Sequence, residues 1–436
     1  MAPFDRPLPF HVQSTVDKVH KFPHHDSITQ LWESRWRDLC RTAEYPFGEA
    51  ALEDFEPIFA SLVTKFHNDP EALVRDPDGY AASFLPAAAA LVREAEASEK
   101  VQDTDRARDL FLRAAAIYRI ARFPVNRSPL GHVAWEMGRG SYLRGAAYLE
   151  PPVREVAIPF THAKAGVDAA ERPILANLRI PSSSSSSCSS QKPDASSWPV
   201  LVLISGLDSY RSDSTTRTTA HTATGLAVLA VDIPGTADSP AAAGDPSASD
   251  RLFSSVLEWI ATTGRGCSTG GYHALRLAHT HSEHLLAVIC HGGACHYMFE
   301  PDWIRAQDHM EYPFGLAEAL AWKFGFRRQR LDKTNSSRSE EEADVAAYVG
   351  EAKKRFSLED GLDAGMLNGR SCRLLIVNGL EDSVFPIEDS WLVASRGRPK
   401  EVRLLENRRH MGNPGGDEIA VEWAREVVRQ AGGINK

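Results

Sequence analysis

The sequence predicts an α/β fold with a mainly parallel sheet, preceded by an all-helical domain. Up to about residue 150 the apolar residues recur at three- and four-residue steps, the period of a helix with one buried face. Beyond Pro151-Pro152 short β-branched runs alternate with helical patterns, which is how a parallel sheet with crossover helices reads. We expect a helical domain over 1–150 and an α/β catalytic domain over 151–436.

In the first domain, Ile28, Trp32, Arg35, Trp36 and Leu39 mark one helix face, and Leu52, Phe55, Phe59, Leu62 and Phe66 a second. Asp105 to Phe123 carries Leu110, Ala114, Ile117 and Ala121 on one side and stops at Pro124. Ser128-Pro129 then supplies an N-cap with proline at the first helical position for a helix ending near Leu149. In the second domain the strands are expected at Val153 to Phe160, Ile174 to Ile180, Val200 to Ile204, Leu226 to Ile233, Leu285 to Cys290, Cys372 to Val377 and Glu401 to Leu405. Helical patterns fall at Arg251 to Ile260, Ala274 to His281 and Glu418 to Gln430. The serine-rich stretch 182–197 cannot bury apolar area and is expected to be a solvated loop; 327–344, running from basic to acidic, is expected to be an exposed variable loop.

With 43% apolar and 25% charged residues the chain has an ordinary globular balance, which excludes disorder. Its net charge of −9 and the lack of a long basic stretch argue against nucleic acid or an anionic membrane as partner and leave a small molecule. The longest smooth apolar run, Ala81 to Val92, is shorter than the roughly 20 residues a membrane span needs. Residues Met1 to Phe22, broken by Pro3, Pro7 and Pro9, lack the apolar core of a secretory signal, and a cytoplasmic location is expected. The six cysteines then read as thiols. Cys290-His291-Gly-Gly-Ala-Cys295-His296 contains metal-ligand types, but it follows a strand directly without the paired spacings of a zinc finger, so no metal is assigned.

Gly266-Cys267-Ser268-Thr269-Gly270-Gly271 matches the strand–turn–helix nucleophile elbow G-x-S-x-G of the α/β-hydrolase fold, in which small flanking residues let the backbone turn sharply and expose the serine oxygen. A serine hydroxyl needs a base and the base an orienting carboxylate, and in this architecture they follow in the order Ser, acid, His. Downstream, the expected strand ending at Val377 runs into Asn378-Gly379-Leu380-Glu381-Asp382-Ser383; Asp382 is chosen as the acid, with Glu381 and Asp389 as alternatives. Among sixteen histidines, His410 is the one placed on the loop after the last strand, where the base belongs. Oxyanion donors are expected from the backbone of Thr269 and, in Ser205-Gly206-Leu207-Asp208-Ser209-Tyr210-Arg211, from Leu207 or Asp208, with Asp208 also able to shape the pocket. No cofactor is required for this chemistry.

The strings Gly206-Leu207-Asp208-Ser209-Tyr210-Arg211, Ser268-Thr269-Gly270-Gly271-Tyr272, Asp308-His309-Met310-Glu311-Tyr312-Pro313-Phe314 and Asn378-Gly379-Leu380-Glu381-Asp382-Ser383-Val384-Phe385-Pro386 resemble those of fungal α/β-hydrolases of secondary-metabolite pathways. The members they are most similar to are the yellowish-green conidial pigment hydrolases, which shorten a polyketide by C–C cleavage, and the hydrolases of fusarin-type pathways. The resemblance covers most of the chain. It implies a serine hydrolase with Ser268 as nucleophile, Asp382 as orienting acid and His410 as base, acting on a polyketide or polyketide–peptide intermediate by C–C, ester or thioester hydrolysis. Small-molecule substrate apart, a homodimer is the one partner left open. The pocket is expected between the helical domain and the 308–326 region, with the helical domain over its mouth.

One feature departs from the family pattern. Where an apolar strand normally leads into the elbow, only Ala261-Thr262-Thr263-Gly264-Arg265 separate the expected helix ending at Ile260 from Gly266. The central strand is expected to be missing, with about a dozen residues absent, which would cost more than a typical folding margin. The alternative to an active enzyme is therefore a truncated or impaired paralogue that binds the metabolite without turning it over.

Overall fold

A computed structural model describes residues 25–182, 198–260, 262–267, 269–306, 315–326 and 338–432. The longer helices of the first part are α1 (Leu52–Lys65), α2 (Leu85–Lys100), α3 (Thr104–Ala121) and α4 (Pro129–Ala146). Ser128 caps α4 by accepting from Gly131 N at 3.0 Å, with Pro129 at the first helical position, as the sequence predicts. Trp32, Trp36, Phe47, Phe55 and Phe59 form an aromatic core beneath them, Trp32 stacking on Phe59 at 4.1 Å. The alanine-rich α2 has no counterpart in the expected elements because its apolar face is made of small side chains that give a weak periodic signal.

An eight-stranded sheet follows: β1 (Val153–Ile158), β2 (Ile174–Arg179), β3 (Val200–Ile204), β4 (Ala227–Val231), β5 (Thr262–Cys267), β6 (Leu285–His291), β7 (Arg373–Gly379) and β8 (Glu401–Leu405). Their spatial order is β1-β2-β4-β3-β5-β6-β7-β8, antiparallel at β1/β2 and β2/β4 and parallel from there to β8. Between the strands run α5 (Ala248–Trp259), α6 (Thr269–Thr280), α7 (Leu316–Lys323), α8 (Arg338–Phe356) and α9 (Ile387–Ser395), and α10 (Gly416–Gln430) closes the described chain. The two-residue period sorts side chains to the two faces: Val288, Cys290, Leu374 and Ile376 pack in the cluster that contains α5 and α6, while Ala287, Ile289, Leu375 and Val377 pack under Trp423 and Val427 of α10. A parallel sheet covered on both faces is the arrangement that continuous β-branched runs require.

Two expectations are corrected. The strand before the elbow is not missing: the polar hexapeptide Thr262–Cys267 is β5, pairing Leu201–Ile204 on one side and residues 285–291 on the other. A search for apolar side chains overlooks it because the position is fixed by backbone groups: β3 and β6 each present a row of donors and acceptors that a buried sheet must satisfy. Only Ile260 and Ala261 join α5 to β5, and the β5/β6 register shifts between Thr262 and Gly264. The second correction concerns 327–344, where the part from Arg338 belongs to α8. Its first two turns are mostly charged, so the helix shows no one-sided pattern there. Residues 327–337 and the serine stretch 183–197 lie outside the described residues. No helix among the described residues is long and apolar enough to cross a membrane.

Candidate active site

The elbow region stands where the C-terminal ends of β3, β5 and β6 meet, the edge at which open parallel sheets bind ligands. Ser268 itself lies outside the described residues; Thr269 begins α6 immediately after it and is fully buried. Two glycines allow α6 to wedge in here. A Cβ on Gly270 would stand 2.5 Å from Ser205 O and 2.6 Å from Ile204 O at the end of β3, and one on Gly271 would meet Gly293 Cα at 2.5 Å on the loop after β6. Both obstacles are backbone and cannot swing aside.

Of the three carboxylates weighed from the sequence, the structure brings Asp382 to the histidine. His410 Nδ1 lies 2.9 Å from Asp382 Oδ2 and 3.1 Å from Oδ1. Asp382 is completely buried on the turn after β7. Its Oδ1 accepts from Val384 N at 2.8 Å and Phe385 N at 3.1 Å, and its Oδ2 accepts from Asn378 Nδ2 at 2.8 Å. Both carboxylate oxygens are thus engaged, which fixes the orientation of the buried side chain. Glu381 makes no such contact with His410. Asp389, also fully buried, faces the other way: it accepts from the backbone N–H groups of Cys295, His296, Tyr297 and Met298 at 2.7–3.1 Å and ties α9 to the turn after β6.

The supports of this pair were not visible in the sequence. Asn378, the last but one residue of β7, donates to Asp382 and accepts from Met411 N at 3.0 Å, so one amide holds both Asp382 and the residue after His410. Met411 has the left-handed φ of 63°, a strained conformation for a non-glycine residue. It is held there from the other side by fully buried His291, whose Nε2–H donates to Met411 O at 2.7 Å. His291 is therefore a positioning group, and His296 Nδ1 bonds Ser357 Oγ at 2.7 Å. The Cys/His string thus points its groups to separate partners, and among the described residues no three His, Cys, Asp or Glu side chains gather in a metal-sized cluster. Phe385 packs its ring against the His410 imidazole at 5.4 Å and narrows the ring's freedom.

The loop after β3 lies on the opposite side of the elbow. Gly206 N donates to Ser209 Oγ at 3.2 Å, while the N–H groups of buried Leu207 and of Thr269 have no hydrogen-bond partner among the described residues. Asp208 is half-buried, and its carbonyl accepts from Arg122 Nη1 at 3.4 Å. The helical part fixes this loop from outside. Arg119 at the end of α3 reaches Asp213 Oδ1 at 3.0 Å, and Arg122 bonds Asp213 Oδ2 and lies 3.5 Å from the centre of the Tyr210 ring. Burial opposes ionisation of Asp213, but Arg122 and Arg119 overcome it and hold the carboxyl below the usual carboxylate value. Buried Arg211 in turn binds Asp232 Oδ2 and Asp238 Oδ1, both at 2.6 Å, so the loop is braced from the sheet side as well.

No protein-family profile matches the chain, and no curated protein matches it in sequence. Among solved structures it is similar to 2,6-dihydroxy-pseudo-oxynicotine hydrolase, with 19% identity, a TM-score of 0.58, and coverage of 81% of this chain and 89% of that one. It is also similar to AbyA5, with 16% identity, a TM-score of 0.55, and coverage of 78% of this chain and 83% of that one. The mostly parallel sheet, its flanking helices and these likenesses agree: the chain has the α/β-hydrolase fold, with a helical N-terminal region.

Proposed function

We propose that this chain is a serine hydrolase that acts on a polyketide or polyketide–peptide intermediate, in fungal secondary metabolism and in the manner of the pigment hydrolases its motifs resemble. The observation that carries the reading is the buried Asp382 carboxylate, held by three other donors, in contact with His410 Nδ1 at 2.9 Å. The fold and the name of one structural neighbour, a hydrolase, support it.

In the proposed reaction Asp382 accepts Nδ1–H and so leaves His410 Nε2 as the base. Nε2 takes the proton of Ser268 as Oγ attacks a substrate carbonyl, and the oxyanion that forms is stabilised by the N–H groups of Thr269 and Leu207, with Asp208 shaping the loop. When the intermediate collapses, the bond to the leaving group breaks. His410 returns its proton to an alkoxide or thiolate in ester or thioester cleavage, or to the carbon of a resonance-stabilised enolate when the substrate is a β-dicarbonyl. Water, deprotonated by the same imidazole, then releases the acyl group from Ser268. The parts suffice without a cofactor.

The test is active-site labelling of purified full-length protein with a fluorophosphonate, peptide mapping by mass spectrometry, and turnover of p-nitrophenyl esters beside a β-diketone. Label on Ser268, absent in Ser268→Ala, together with carboxylic acid products is the expected result. Folded protein that neither labels nor turns over any of these substrates would overturn the hydrolase reading and favour a paralogue that only binds.

A further inference from the structure

Lys323, the last residue of α7, is only 3% exposed. Its ammonium donates to Thr236 Oγ1 and stands 4.8 Å from the centre of the Tyr210 ring, with no carboxylate in ion-pair contact among the described residues. A buried lysine in that situation is unusual, because transfer of the charged form out of water is compensated only by close pairing. The same residue lines a narrow cleft with Ser249, Thr269, Tyr272 and His273. Three polar atoms of that lining, Ser249 Oγ, Thr269 Oγ1 and His273 Nδ1, are buried and have no hydrogen-bond partner among the described residues. The space between them suits about one ordered water, or one oxygen atom in its place. Thr269 directly follows the elbow serine in the chain, so one wall of this cleft is a single residue away from the proposed nucleophile in sequence.

We propose that Lys323 is a specificity-determining residue, which with the hydroxyls of Ser249 and Thr269 receives an anionic or enolic oxygen carried by the substrate close to the scissile carbonyl. The inference deepens, and rests on, the hydrolase reading above. The shared chemistry is an oxygen that can bear negative charge, either the enol of a β-dicarbonyl or a carboxylate. Burial pushes Lys323 down to about 7, against the pull of Asp232, Asp208 and Asp213 and with the push of Arg122, while burial holds His273 at about 3 and so uncharged. A carboxylate ligand therefore needs the ammonium form already present. An enol instead transfers its O–H proton to neutral Nζ, which gives the same enolate–ammonium pair with no net proton exchange.

The experiment compares kcat/KM for three esters of one chain length: plain acyl, 3-oxoacyl, and acyl with a terminal carboxylate. In Lys323→Met, matched in length but uncharged, the ratio of the oxygen-bearing ester to the plain ester is expected to fall about 10-fold. Loss confined to the 3-oxo ester identifies the enol as source, and loss confined to the other identifies the carboxylate. In the wild type the carboxylate ratio falls between about pH 6 and about pH 8.5 as the ammonium is lost, while the 3-oxo ratio persists. An unchanged ratio, or an equal loss on all three esters, overturns the proposal and leaves Lys323 a packing residue. If Lys323→Met does not fold, the wild-type profile decides, because a carboxylate ratio flat with pH together with no 3-oxo preference refutes it. A readout free of turnover separates this from failure of the hydrolase reading. In Ser268→Ala protein, 2,4-pentanedione is expected to raise the Tm more than 2-pentanone, and adding Lys323→Met is expected to abolish the difference.

Discussion

Replacing Asp382 by asparagine tests the proposed relay at its most constrained point. The carboxylate accepts four hydrogen bonds, from Val384 N, Phe385 N, Asn378 Nδ2 and His410 Nδ1. An amide has one accepting oxygen. If that oxygen keeps the two backbone donors, the new NH2 group is turned toward Asn378 Nδ2 and His410 Nδ1, where it meets a donor on each side. Two charge-assisted bonds are lost, at about 1.5–3 kcal/mol each, so a stability loss of roughly 3–6 kcal/mol is expected. That lies within a typical folding margin of about 5–15 kcal/mol, and the variant should remain folded. The imidazole can satisfy the new amide only by accepting at Nδ1, which puts its proton on Nε2 and removes the base. A fall in kcat of about 10^3- to 10^4-fold follows, as for other triads given the wrong tautomer. The assay is p-nitrophenyl ester turnover together with the rate of fluorophosphonate labelling, with urea unfolding to show that the protein is folded. Glu381→Gln serves as the comparison and should stay within about 2-fold of wild type. A loss under about 10-fold in Asp382→Asn, or an equal loss in Glu381→Gln, would refute the assignment.

Other outcomes follow from the same contacts. Gly270→Ala drives a methyl group to 2.5 Å from Ser205 O, so it should cost more than about 2 kcal/mol in urea unfolding and abolish labelling; a neutral variant would mean that the elbow helix does not abut β3. Asp213→Asn leaves Arg119 and Arg122 buried without their shared counter-ion and should destabilise by about 3–5 kcal/mol, with a kcat loss larger than any KM change if the loop after β3 supplies an oxyanion donor. His273 contributes a pH dependence of defined sign. Its folded value near 3 lies below the usual 6.5, so on acidification the unfolded chain takes up the proton first. Stability is full above about pH 6.5 and falls by up to about 1.4 kcal/mol per pH unit below it, and His273→Leu should flatten that slope between about pH 6 and about pH 4. An identical slope in the variant would show that other groups govern acid unfolding.

Much of the fold was legible because burial on one side of an element leaves a period in the chain. Val200–Ile204 and Glu401–Leu405 are strands with the very bounds their β-branched and apolar residues predict, and α4 starts at the proline after its serine cap. The contact between Asp382 and His410 was expected for a different reason: the order of the elements offers a carboxylate after β7 and a histidine after β8, so both residues could be chosen by position. Position alone left Glu381 and Asp389 open, and only three-dimensional packing separated them, since that choice depends on which carboxylate faces the imidazole.

The sequence by itself determined where apolar faces, caps and turns fall, and with them the layered architecture and the order of the elements. The tertiary structure decided what no local pattern encodes. The hexapeptide Thr262–Cys267 is a central strand because β3 and β6 offer it two ladders, although it lacks the apolar run that marks the other parallel strands. Arg119 and Arg122 meet Asp213 across some ninety residues of chain, and Lys323 ends buried beside Tyr210 and Thr236. Such pairings depend on which surfaces come together when two layers close, and a charge in a sequence does not reveal whether it will be left in water or carried into the core.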